Sequence, residues 1–179
     1  MFMDMRSSTT IAEKIGNEKY FNLLNDVFAD ITNTILNNEG EIYQYVGDEI
    51  VISWSIKKGT RQANCLHCFT QIQEKLADLR PIYENKYNVI PEFKAGLHHG
   101  IVMAGEVGVI KKDIIYSGDV LNTTARIQEL CNHYGVDILL SKETFDLMSD
   151  NKYFKIKSLG SIELRGKKRK IDLNTISPI

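Results

Sequence analysis

The sequence predicts an α+β sandwich in which a mostly antiparallel central sheet carries packed helices. Three observations lead there. Apolar residues recur at helical spacing across 11–36 and 59–87. Short runs rich in Ile, Val, Tyr and Trp alternate with Gly-containing turns. The segments follow the order β-αα-ββ-α-ββ-α-β-α-ββ, which suggests helices on one face of the sheet and not a strict βαβ alternation.

Taken in order, Phe2-Met3-Asp4-Met5 opens the chain as a strand. It reads as clipped, because only three residues precede Asp4 where a strand usually needs about five. Residues 1–179 are expected to form one domain, and the chain can be a fragment of something longer. Ile11, Ile15, Leu24, Val27, Phe28, Ile31 and Ile35 mark a short helix and a long one divided at Gly16-Asn17. Ser8 or Thr9 suits the first N-cap, while Asn38 and Gly40 stop the second helix. Residues 41–46 and 49–54 form two β runs around Gly47-Asp48, a hairpin signal. Cys65, Cys68, Phe69, Ile72, Leu76 and Leu79 line a second long helical stretch, which Pro81 interrupts. Residues 93–98 and 101–107 read as a β pair turned at Gly100. A helix over 120–134, a strand over 136–140, a short helix over 142–148 and two strands turned at Gly166-Lys167 complete the chain.

Composition narrows the function classes. Hydrophobic residues make up 43% and charged residues 25%, ordinary globular values. The formal net charge of -1 provides no global field toward nucleic acid or an anionic membrane. The apolar runs are strand-sized, short of the roughly 20 residues a membrane helix needs, and no signal segment opens the chain. Three cysteines without repeating spacing suit a reducing compartment. The expected setting is soluble and cytoplasmic, with no nucleic-acid partner and no direct membrane contact from this segment, which can still be the cytoplasmic part of a larger sensor or membrane protein.

The chemistry centres on two aspartates. Asp4 ends an apolar run and is followed by Ser7, Ser8, Thr9 and Thr10, a carboxylate beside a helix N-terminus whose N–H groups suit phosphate. Asp48 sits at the tip of the hairpin in Tyr-Val-Gly-Asp-Glu. If that hairpin lies beside the first strand, the two carboxylates share a space and can hold Mg²⁺ or Mn²⁺. Taken singly, Asp4 reads equally as a helix cap and Asp48 as a turn residue. Asn122 and Arg126, spaced i, i+4, lie on one helix face.

Four blocks together carry a resemblance: residues 2–9 (FMDMRSST), 45–49 (YVGDE), 96–108 (GLHHGIVMAGEVG) and 116–127 (YSGDVLNTTARI). In this order they resemble the class III adenylate/guanylate cyclase catalytic domain, across essentially the whole chain. The resemblance implies a ferredoxin-like form of the sandwich and cyclisation of a nucleoside triphosphate to a 3′,5′-cyclic nucleotide, with release of pyrophosphate, for second-messenger signalling. It implies Asp4 and Asp48 as ligands of two divalent cations, with the Met5 backbone carbonyl as an extra ligand. It makes Asn122 and Arg126 the ribose-orienting and phosphorus-stabilising pair. Ser7, Ser8, Thr9 and Arg165 fall to the triphosphate, and Gln44 and Ile115 occupy the base-selecting positions. The implied assembly is a homodimer with two interfacial sites.

Base choice departs from the family pattern. Gln44 replaces the usual Lys of adenylate cyclases, and Ile115 offers no polar handle where Asp, Thr or Cys is usual. ATP is the first expectation. The alternatives are GTP, a pyrimidine triphosphate in anti-phage signalling, or a catalytically inactive nucleotide-binding and dimerising module. A diguanylate cyclase would share Val-Gly-Asp-Glu but lacks the Gly-x-His-x-Gly and Asn-x-x-x-Arg blocks. Cys65-Leu-His-Cys68, His98-His99 and Lys167-Lys168-Arg169-Lys170 are read as core packing, a buried polar contact and a solvated turn lending charge to the triphosphate end.

Overall fold

A computed structural model describes residues 1–110, 112–149, 152–166 and 170–178. Strand β1 (Phe2–Met5) leads into helices α1 (Ser8–Ile15) and α2 (Asn17–Asn37), then strands β2 (Glu41–Val46) and β3 (Glu49–Ser53). Helices α3 (Ile56–Thr60), α4 (Asn64–Asp78) and α5 (Arg80–Tyr87) precede β4 (Phe93–Leu97), β5 (Met103–Val107) and β6 (Asp113–Ser117). The chain ends with α6 (Asp119–Tyr134), β7 (Ile138–Ser141), α7 (Lys142–Asp146), β8 (Phe154–Glu163) and β9 (Lys170–Pro178).

Seven strands form one sheet in the order β2-β3-β1-β4-β7-β9-β8, antiparallel except for the parallel β4–β7 pair. The α+β architecture with a mostly antiparallel sheet is therefore as expected. The period-two alternation of β1 sorts its side chains: Met3 and Met5 are fully buried in the core that holds Val27, Ile31, Phe69 and Ile72 of α2 and α4. Asp4 points to the opposite face, with α6.

The helices lie on both faces, not on one. Helix α6 packs against β4, β7 and β1, and its Ile127 and Cys131 form a second core with Leu139, Leu164 and Leu173. Gly96 permits this approach, because a Cβ there would stand 2.6 Å from the Thr124 carbonyl oxygen and the Gln128 backbone nitrogen. Element order alone does not carry this information, since a missing side chain is what opens the second face.

Two other expectations change. Residues 93–97 do not pair with the strand beyond Gly100; β4 lies between β1 and β7, while β5 pairs with β6 in a separate hairpin. The Asp113–Ser117 strand had no place in the expected order, and it supplies β5 with the hydrogen bonds that β4 exchanges elsewhere. The long stretch from residue 59 breaks twice. Gln62 and Ala63 take left-handed backbone angles before α4, and Pro81 sits in the first turn of α5, where its missing N–H costs no helical bond. Among the described residues, no helix is long and apolar enough to cross a membrane.

Candidate active site

Asp4 lies in the middle of the sheet, opposite Glu49 of β3 on one side and Lys94 of β4 on the other. Directly opposed residues of antiparallel strands project to the same face, so these three side chains share the face toward α6. Asp48 occupies the β2–β3 turn, whose Gly47 has φ 63, a conformation that favours glycine. The Asp48 carboxyl lies close enough to Asp4 and Ser8 for both to perturb it. The two carboxylates expected to converge therefore do.

Their electrostatics follow from crowding. Burial raises the Asp48 pKa first, the Asp4 carboxyl raises it further, and the Ser8 hydroxyl partly offsets the rise. Glu49 is pushed up to about 7, by burial and then by the charges of Asp4, Asp48 and Glu129. Two partners stabilise Asp4: Lys94 Nζ lies 3.2 Å from its Oδ2, and Gln128 Nε2 donates to the same oxygen at 3.2 Å.

The segment after Asp4 is exposed and polar. Ser7, not Ser8 or Thr9, is the N-cap of α1; it has φ 55 and makes no side-chain capping bond. Ser8, in the first turn, is instead near Asp48, where its hydroxyl favours the charged carboxylate. Thr9 is exposed on the first turn, and the Met5 side chain is buried in the core. Arg6 anchors the segment, donating to Asp137 at 2.8 Å and to the Val136 carbonyl at 2.6 Å.

A second group forms around α6. Asn122 is exposed and Arg126 half-buried, one turn apart. Arg126 reaches the β8–β9 turn, where its Nη2 lies 3.5 Å from the position of a Cβ on Gly166, next to exposed Arg165. Lys167, Lys168 and Arg169 lie outside the described residues. Gln44 is exposed beside a bulge in β2, and Ile115 is 40% exposed on β6. The extra residue of that bulge, Tyr43, stacks on Tyr116 with centroids 4.1 Å apart and accepts the Tyr116 N–H at 2.7 Å. Among the described residues, no hydrogen bond or ion pair of this chain joins Asp4 or Asp48 to Asn122, Arg126 or Arg165. The chain presents two half-sites.

Lys94, Gln128 and Tyr43 escape sequence reasoning. Lys94 does leave a trace as a lone charge at an inward position of Phe-Lys-Ala-Gly-Leu. Gln128 likewise sits one turn from Thr124, on the helix face that carries Ile127 and Cys131. The residues expected to be core are core: Cys65 and Cys68 are buried, with burial pushing both thiols up to about 12. His98 and His99 bond Ser141 and Thr144 at 2.7 and 2.9 Å.

Among the described residues, the groups at Asp4 and Asp48 that can ligate a cation are hard oxygens, beside the Lys94 ammonium and the Gln128 amide. Among the described residues, no three His, Cys, Asp or Glu side chains surround one cation position. That donor set suits Mg²⁺ or Mn²⁺, which bind through one or two carboxylates and complete their shells with water and phosphate.

Comparison with known proteins agrees with this geometry. The profile of the adenylate and guanylate cyclase catalytic domain matches residues 1–175. The chain is 32% identical over 171 residues to adenylate cyclase 2 of Rhizobium meliloti (strain 1021), covering 96% of this chain and 47% of that protein. It is 26% identical over 179 residues to adenylate cyclase 1 of the same organism, covering 97% of this chain and 26% of that one. The chain thus spans less than half the length of these curated relatives. Its fold superposes on the crystal structure of the adenylyl cyclase CyaB from P. aeruginosa with a TM-score of 0.84 at 20% identity, covering 99% of this chain and 92% of that one.

Proposed function

From the premise that this chain belongs to the adenylate and guanylate cyclase catalytic domain family, we propose that it converts ATP to 3′,5′-cyclic AMP and pyrophosphate for second-messenger signalling. The observation that carries this reading is the contact between the Asp4 and Asp48 carboxyls beside Ser8, at the start of α1. Bound there, Mg²⁺ or Mn²⁺ supplies acidification of the ribose 3′-hydroxyl and charge neutralisation on the phosphates.

The chain's own groups have the remaining tasks. Asp4, Asp48 and the Met5 carbonyl hold the cation side. The first N–H groups of α1, with Ser7, Ser8 and Thr9, face the triphosphate with the positive end of the helix dipole. Asn122 orients the ribose so that O3′ stands in line with the α-phosphorus. Arg126 stabilises charge on that phosphorus, and Arg165 clamps the outgoing phosphates. As O3′ gives up its proton to water and bonds to the α-phosphorus, the bond between that phosphorus and the oxygen bridging to the β-phosphate breaks and pyrophosphate leaves. The nucleophile is part of the substrate, so no covalent enzyme intermediate is required.

The separation of the two half-sites supports assembly as a homodimer, with Asp4 and Asp48 of one protomer facing Asn122, Arg126 and Arg165 of another. The β5–β6 hairpin supports the same assembly: Met103 is 71% exposed, Val109 95% and Ile114 65%, an apolar surface suited to a second copy. A cytoplasmic location follows from the substrate. Purified protein incubated with each of the four triphosphates and Mn²⁺ tests the reading, with cyclic AMP the dominant product. The apolar Ile115 favours a second reading, a cyclase for GTP or a pyrimidine triphosphate, which holds if ATP is the poorest of the four.

A further inference from the structure

Lys94 is 8% exposed on β4, and its ammonium lies 3.2 Å from Asp4 Oδ2. Lysine is rarely this buried without an anion, and this one is directed by strand register at a single carboxylate. Gln128, 4% exposed on α6, donates to the same oxygen at 3.2 Å. It reaches Asp4 because Gly96, two residues after Lys94, lets α6 sit directly on β4. Both donors engage Oδ2, so neither occupies Oδ1. Lys94 thus cancels one formal charge of the Asp4–Asp48 pair, with Glu49 flanking Asp4 from β3.

We infer that Lys94 is a resident counter-cation and positioning residue of the Asp4–Asp48 site, which keeps the nucleotide-free site weak for divalent cations so that metal enters together with the triphosphate. This rests on the cyclase reading. A fixed ammonium a few Å from the cation position repels a second cation, and a bound triphosphate reverses the sign of the local field. Gln128 adds orientation without charge. Its bond also ties the metal-side aspartate to the helix that bears Asn122 and Arg126.

The test is a Mn²⁺ titration of the nucleotide-free protein, with free Mn²⁺ read by electron paramagnetic resonance. Lys94→Met is expected to tighten Mn²⁺ binding by about tenfold or more, as removal of one nearby charge implies. Lys94→Arg, which keeps the charge, stays within about threefold of the parent protein. Gln128→Met leaves nucleotide-free affinity within the same range. If Lys94→Met fails to give a native circular dichroism spectrum, Lys94→Gln replaces it, since its amide can still donate to Asp4. A folded, charge-free variant that binds Mn²⁺ no more tightly than the parent overturns the inference and leaves the cyclase reading intact. Titrations with a non-hydrolysable triphosphate on Asp4→Asn and Asp48→Asn separate the two: undiminished Mn²⁺ uptake there overturns the metal site, and this inference with it.

Discussion

Tyr43 and Tyr116 stack nearly parallel, with an interplanar angle of 5°, and the Tyr43 hydroxyl accepts the Tyr116 backbone N–H. The contact bridges the main sheet and the β5–β6 hairpin, and each ring adjoins one of the two positions proposed to select the base, Gln44 and Ile115. Tyr43→Phe keeps the stack and orphans one N–H, so it should cost about 1 kcal/mol in urea unfolding. Tyr43→Ala also removes the stack and should narrow the ratio of kcat/KM between the best and the next triphosphate. An unchanged ratio for Tyr43→Ala would detach this pair from base choice.

Asp4→Ala and Asp48→Ala should each lower cyclisation by about a hundredfold or more, since even residues behind a metal ligand are worth 10–100-fold. Asp48→Ala should keep a native circular dichroism spectrum, because it removes a charge from a crowded acidic group; Asp4→Ala leaves the buried Lys94 ammonium unpaired, so Asp4→Asn, which keeps the shape of the side chain, serves as its control. Near-normal turnover with Mn²⁺ in either variant contradicts the assignment.

Arg126→Ala should reduce kcat by about 10²–10³, the usual loss for one group that stabilises charge in the transition state. Mixing it with Asp4→Ala discriminates between sites within one chain and sites shared by two. In a symmetric dimer each mixed pair restores one intact site, so about a quarter of normal activity should return on random exchange. No recovery despite subunit exchange would place both half-sites within one chain.

Metal-free protein should lose stability as pH rises from about 4.5 to about 7. Glu49 is raised from 4.5 to about 7 in the fold, so the folded state holds a proton that the unfolded state releases. That contribution is full below the unfolded pKa and is lost on passing the folded one. Asp48, raised for related reasons, acts in the same direction. Thermal melts in chelator should show the fall, and Glu49→Gln should flatten it.

Gly96→Ala should destabilise the protein by about 1–3 kcal/mol, the range for forcing an extra group into a packed core. The new Cβ meets backbone, the Thr124 carbonyl oxygen and the Gln128 nitrogen, and neither can swing away. Helix α6 must shift, so kcat should fall along with the unfolding midpoint. A stable, fully active variant would show that α6 tolerates displacement.

Much of this protein was legible in its sequence because the relevant signals are local. Helical spacing placed α2 and α6, Gly16 divided the first two helices, and Gly47-Asp48 set the β2–β3 turn. Four ordered blocks pointed to the cyclase family. Tertiary structure decided which polar residues meet. Lys94 and Gln128 are 90 and 124 residues from Asp4, and they arrive through strand register and the close approach of a helix over Gly96. The fate of β5 was hidden for a similar reason, since a strand's partner depends on which edge still has unpaired hydrogen bonds. Local propensity determines which elements form, and only their packing determines which charges must neutralise one another.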